Sequence, residues 1–208
     1  MQVTEVPTFT PRKGAKKKLE RKVSLKKKRV VKTPGQKKFA ARKKKLEKER
    51  ELWASFGLER PQKPRYVGVQ GILWYVTSKA VRMEEWAKYG GLCGDGCGGR
   101  AESWKDAHCG HFESSGRAQT RFVRENLVLQ LARCNTDQNN GRAIQYRMGK
   151  VINERYGEGT AERVQALANT TGSLPEDYIL EKIKHYQHII SLHATEPTNV
   201  QEPPSSDS

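Results

Sequence analysis

An α+β fold is predicted for this chain: a small two-stranded core with flanking helices, braced by a metal ion and preceded by a long basic N-terminal extension. Three observations lead there. Residues 103–112 and 127–132 read as short strands joined by an Arg-rich loop. Helical periodicity stands on both sides of them. The four cysteines, Cys93, Cys97, Cys109 and Cys134, read as metal ligands or buried thiols before disulfides.

The extension comes first. The net charge is +16, yet residues 11–50 hold 20 Lys or Arg against Glu20, Glu47 and Glu49 alone, which is 20 − 3 = +17. The remainder therefore sums to 16 − 17 = −1, so the charge belongs to the extension and not to the core. A block of like charge this dense resists collapse unless a polyanion neutralises it. Nucleic acid is the first candidate, because phosphate contacts release counterions. A solubilising tail and an anionic membrane surface are the alternatives. Residues 1–35 are expected to be a disordered arm, with Lys26, Lys27, Lys28 and Arg29 on DNA.

After the turn Thr33-Pro34-Gly35, residues 36–66 are expected to form a basic helix and a linker. Phe39, Leu46 and Trp53 recur every seven residues and suggest a thin apolar stripe, with Lys43, Lys44 and Lys45 facing nucleic acid. Pro61 and Pro64 break any helix in the linker.

The core is expected over residues 67–157. Leu73, Val76, Ala80, Met83 and Ala87 predict an amphipathic helix over 71–89, ended by Gly90-Gly91. "LCGDGCGG" (92–99) follows as a Gly-rich knuckle. In the second strand Leu127, Leu129 and Leu131 alternate, while Val128 leaves both faces apolar. A further helix is expected from about Asp137 to Tyr156, with Ile144, Met148, Val151 and Ile152 on one side. Two more follow near 160–169 and 175–192, within a C-terminal segment 158–193. The Pro-rich residues 194–208 are expected to be disordered. No run approaches the ~18 apolar residues of a membrane span. The N-terminus carries no apolar signal-peptide core, so a cytoplasmic location is expected.

The chemistry concentrates in two motifs. Cys93 and Cys97 are separated by three residues, among glycines that let both thiolates turn to one ion, a spacing found in structural zinc knuckles. Four scattered thiols are the plainer alternative. "DAHCGHF" (106–112) gathers an acid, two histidines and a cysteine. Read with "RENLVLQLARCN" (124–135), it makes a hairpin followed by a helix that can pinch a divalent ion. Cys109 and His111 share one face of a regular strand and His108 takes the other. Arg117, Arg121, Arg124 and Arg133 either grip phosphates or form an ordinary solvated face.

Here a specific resemblance enters. "CGDGC", "HCGHF", Arg121-Phe122, "NLVLQLARCN" and "QYR" (145–147) are similar to the knuckle, "HAGHY", "RF", "N-x-H-x-Q-C-x-x-C-N" and Tyr-containing helix of the NinG/Rap family. These are lambdoid phage recombination endonucleases of the HNH, or ββα-metal, class. The similarity covers roughly residues 70–157. The family's first Cys of its second pair falls on Leu131 and its His falls on Val128. Cys109 stands where the family has Ala, so the expected structural zinc set is Cys93, Cys97, Cys109 and Cys134.

The resemblance implies a metal-dependent endonuclease hydrolysing phosphodiester bonds in branched DNA such as Holliday junctions, in the cytoplasm of a phage's host. His111 would be the general base, with Asn126 orienting it or the hairpin. His108 and Asn135, with Asp106 as substitute, would hold a catalytic Mg²⁺ or Mn²⁺. Phage recombination proteins are the implied partners. A resolvase nicking two strands symmetrically would act as a homodimer, although no dimer interface is legible. Two other readings stand: a noncatalytic zinc-containing nucleic-acid-binding protein, and an RNA-binding or ribosome-associated basic protein.

Overall fold

The structure is a computed structural model, and it describes residues 33–137 and 141–194. Lys26, Lys27, Lys28 and Arg29, with the rest of the arm to residue 32 and the Pro-rich tail from 195, lie outside the described residues. The chain divides into two units, one ending at Lys45 and one starting at Leu46.

Helix α1, Pro34–Ser55, begins two residues earlier than the sequence suggested. The reason is a capping box. The Gln36 amide donates to Thr33 Oγ1 at 3.3 Å, and the Thr33 amide donates to Gln36 Oε1 at 2.9 Å. Pro34 suits the first helical position, where its missing N–H costs nothing. In the first unit this helix carries exposed Lys43, Lys44 and Lys45, and Phe39 is exposed as well. The seven-residue stripe is thus graded, since Leu46 is half-buried and Trp53 fully buried in the second unit.

That second unit is organised by α2, Gly68–Tyr89, which buries Ile72, Leu73, Val76, Ala80, Val81 and Met83. Each large apolar side chain so buried is worth ~1.5–3 kcal/mol. Gly90 ends the helix at φ 57°, ψ 37°, a left-handed conformation that suits glycine, while Ala87 is exposed. Strands β1 (Ala107–His111) and β2 (Leu127–Leu131) pair antiparallel, with Cys109 opposite Leu129 and His111 opposite Leu127. The first strand is shorter than 103–112, because Asp106 and Lys105 donate amides back to Ser103 in a turn.

Every residue of β2 is buried, which explains its doubly apolar pattern. Leu127 packs in the core formed with α2, whereas Val128 packs with Ile144, Met148 and Ile152. Those residues belong to α4, Gly141–Tyr156, which follows a five-residue helix α3, Ala132–Thr136. The helix expected from about Asp137 to Tyr156 is thus described from Gly141, with Asp137 itself non-helical, and the short α3 precedes it. Helices α5, Thr160–Ala168, and α6, Glu176–Ala194, complete the unit. Ile179, Ile183 and Tyr186 of α6 join the α2 core. No helix among the described residues is long and apolar enough to cross a membrane.

One buried carboxylate ties these layers together. Glu85 of α2 has no exposed side-chain surface. Its oxygens meet Arg155 Nη1 at 2.6 Å and Arg124 Nη2 at 3.1 Å, and one accepts the Leu129 amide at 2.9 Å. Helix, strand and α4 are thereby joined through a single group.

Candidate metal centre and adjoining cleft

The knuckle 92–99 folds back on itself. The Cys93 amide donates to Gly99 O at 2.8 Å, and Leu92 bridges to Arg100. Gly94 lies against β2, its amide donating to Leu129 O at 2.7 Å, and any Cβ there would collide with Val128. Gly96 turns at φ 71°, which brings Cys97 back toward Cys93.

The turn gathers Cys93, Asp95 and Cys97 with Cys134 of α3, all four donor atoms within 4.8 Å of one another. These four side chains are placed to hold a metal ion. A tetrahedral zinc ion with Zn–S bonds of ~2.3 Å sets its sulfurs ~3.8 Å apart, and Cys97 Sγ and Cys134 Sγ are 3.6 Å apart. Asp95 is fully buried; its Oδ2 has no hydrogen-bond partner, and Arg147 Nη2 stands 3.9 Å from it. A buried oxygen with only that long ion pair is one that a cation among the thiols would satisfy. Its Oδ1 accepts the Cys97 amide at 2.9 Å, and the Leu131 amide points to Cys93 Sγ at 3.3 Å.

The titration behaviour fits this donor set. Burial alone would raise the Asp95 carboxyl, but the surrounding Cys93, Cys97 and Cys134 thiols outweigh it and hold it below the usual carboxylate range. Burial, then the Asp95 carboxylate and Cys97 beside it, push Cys134 up to about 12. Burial pushes Cys93 up as well. A cation replaces those protons, so binding releases them and strengthens as pH rises.

Cys109 is not part of this cluster, which corrects the expected four-cysteine set. It is buried among Ile72, Leu73 and Phe122 in the core formed with α2. Desolvation pushes its thiol to about 12, against the opposing charges of Arg124 and Arg82. The fourth donor is Asp95, and the signal for it was in the sequence as the acid between the two knuckle cysteines.

On the other flank of the hairpin, His111 and Asn135 line a cleft of about 280 Å³ together with Gln130, Asp137 and Gln145. His111 Nε2 lies 3.1 Å from the Arg121 carbonyl, and the ring stacks on Trp74 at 4.9 Å between centroids. That carbonyl accepts only from an N–H, so Nε2 carries the proton and Nδ1 the lone pair. Burial first, then the Arg65 and Arg121 charges, lower the His111 pKa to about 4 against the pull of that carbonyl. Trp74 and Arg65, whose guanidinium sits 5.1 Å from the Trp74 ring, are site neighbours that no spacing in the sequence marks.

Asn126 is fully buried and does not line the cleft. It clamps the loop instead: Nδ2 donates to Glu113 O (3.1 Å) and Thr120 O (2.9 Å), while Oδ1 accepts the Glu113 amide at 2.6 Å. His108 is exposed on the opposite strand face, its Nδ1 3.1 Å from Asn135 Nδ2. Asp106 is exposed in the turn before β1. Among the described residues it joins no group of three or more His, Cys, Asp or Glu able to hold an ion.

The arginines separate into kinds. Arg117 and Arg133 are exposed. Arg121 is held by Ser115 O at 2.7 Å and Gln70 Oε1 at 3.3 Å, over the Tyr66 ring. Arg124 is committed to Glu84, Glu85 and the Leu127 carbonyl, so it is a structural ion-pair partner and not a free phosphate ligand. No family model, curated protein or solved structure matches this chain.

Proposed function

We propose that the chain is a metal-dependent DNA endonuclease of the ββα-metal (HNH-like) class, acting on branched DNA such as Holliday junctions. The observation that carries this reading is His111, fixed through Nε2 to the Arg121 carbonyl while lining the same cleft as Asn135. A general base needs a neutral ring with one nitrogen anchored and the other free to take a proton. With its pKa lowered to about 4, His111 is neutral throughout the physiological range. Phosphate entering the cleft would raise that value toward the operating pH.

His108 and Asn135 would hold a Mg²⁺ or Mn²⁺ ion at the cleft rim. Two neutral donors suit an ion that keeps most of its waters and takes its remaining ligand from the substrate phosphate. Such an ion would neutralise charge on the phosphate and the leaving oxygen. Asn126 would act by holding the loop that carries the Arg121 carbonyl, as a positioning residue. Zinc in the Cys93, Asp95, Cys97 and Cys134 set would brace the strand and α3. The resemblance to the NinG/Rap family supports the branched substrate. At its two departures, Leu131 offers its amide to Cys93 Sγ and Val128 packs in the cluster with Met148.

Incubating the full chain with Mg²⁺ or Mn²⁺ and junction, flap and linear duplex DNA tests the reading. Junction cutting is expected, and His111→Ala should abolish it while DNA binding persists. No cutting of any substrate by the intact protein, with binding retained, would favour a noncatalytic zinc-containing nucleic-acid-binding protein. One observation favours that second reading: among the described residues there is a single group of three or more metal-binding side chains.

A further inference from the structure

The outer face of α4 continues from the cleft. Tyr146 is 67% exposed, although a tyrosine ring ordinarily buries most of its area. Arg142 and Lys150 stand one turn before and one turn after it on the same helix face. Their Cα positions are ~12 Å apart along the axis. Lys150 Nζ sits 4.7 Å from the Tyr146 ring centroid. All three line a groove of about 480 Å³ that shares Phe112 and Gln145 with the His111 cleft. The far wall carries Glu158 and Glu162, so the cationic side is the α4 wall.

An exposed ring between two cations is poorly suited to a protein core and well suited to a nucleobase. Bases stack on aromatic faces whatever their identity, while flanking cations track the phosphates. In an intact duplex the bases are already stacked, so only a strand with unpaired bases can use such a ring. We propose that Tyr146, flanked by Arg142 and Lys150, is a stacking platform for an unpaired DNA base beside the cleft. This rests on the nuclease reading for its setting and specifies the substrate feature that the site recognises: a strand locally freed from its complement, as at a branch point.

The test uses the full chain, a single-stranded oligonucleotide carrying one 2-aminopurine, and a linear duplex of the same sequence. Wild type should quench the fluorescent base on binding. Tyr146→Ala should lose the quench and bind the single strand about 10-fold more weakly, in line with the worth of one base–aromatic stack. Tyr146→Phe should keep both properties, and duplex affinity should change little in either variant. Thermal unfolding should match wild type, since the side chain contributes little to the core. Unchanged quenching in Tyr146→Ala, or equal weakening on duplex and single strand, would overturn the platform and leave the nuclease reading standing. Loss of quenching in Tyr146→Ala from a protein that cuts nothing would uphold the platform while the nuclease reading falls.

Discussion

The two flanks of one hairpin have been built in opposite ways. On the knuckle side, four donor side chains converge within 4.8 Å, with Cys93 and Asp95 buried and Cys97 at the surface. On the cleft side no such convergence occurs among the described residues. A single imidazole is steered by a backbone carbonyl, a tryptophan face and a loop that Asn126 clamps. The first arrangement is complete as a ligand set. The second is completed only by what enters it. A brace must be closed to hold, whereas a reactive site must stay open to substrate.

Taking the sulfur cluster apart should have the largest effect. Structural zinc in small domains is worth ~10 kcal/mol or more in apparent binding free energy. Cys93→Ser or Cys134→Ser should lose the ion and the cooperative thermal transition. Intact protein should carry one zinc per chain by metal analysis. Asp95→Ala, which removes a ligand, should lose the ion to a chelator that leaves wild type loaded. Cys109→Ser should retain it at full stoichiometry, and loss there would return Cys109 to the ligand set.

Next is Glu85, the buried carboxylate that joins α2 to β2 and α4. Removing one partner of a buried, hydrogen-bonded ion pair costs ~3–5 kcal/mol. Glu85→Ala, which strands Arg124 and Arg155, should lower stability in denaturant titration by that amount. Arg124→Ala should act the same way, and a variant that weakened DNA binding without losing stability would make Arg124 a phosphate ligand after all.

The cleft side is sharpened by pH. A histidine lowered from 6.5 to about 4 on folding binds its proton more weakly in the native state than when unfolded. Its contribution is therefore complete above pH ~6.5 and lost progressively as pH falls to ~4. Up to ~3 kcal/mol is at stake, from the ~1.4 kcal/mol that each pKa unit represents. His111→Gln should flatten that part of the stability–pH curve, and the wild-type ring should titrate near pH 4 by NMR. A wild-type ring titrating near 6.5 would show the stacked, carbonyl-anchored arrangement to be absent in solution. Smallest of all, Arg117→Ala and Arg133→Ala should each weaken DNA binding slightly and reduce its salt slope by about 1, without affecting stability.

How far the sequence reached follows the same division. The hairpin, α2 and the C-terminal helices were legible because apolar spacing states them directly. Cys93, Cys97 and Cys134 were legible because thiols at such spacing have few other uses. Asp95 was passed over, since an acid in a Gly-rich turn reads as a turn residue until three sulfurs are found around it. Cys109 was misplaced because spacing does not show which wall of a strand meets a core. His111 and Asn135 share a cleft as expected. Asn126 proved to be a loop clamp, and Trp74 could not have been found, because stacking across 37 residues leaves no mark in a linear pattern. The short helix Ala132–Thr136 was equally hidden, since five residues are too few to show a helical period.

Helix α4 touches both flanks within three consecutive residues. Gln145 donates to Glu113 Oε1 at 2.9 Å on the cleft side, and Arg147 Nε donates to Asp95 O at 3.0 Å on the knuckle side. A rigid rod gripped at both hands transmits displacement from one to the other. Whatever the knuckle holds is therefore felt in the cleft through this one helix.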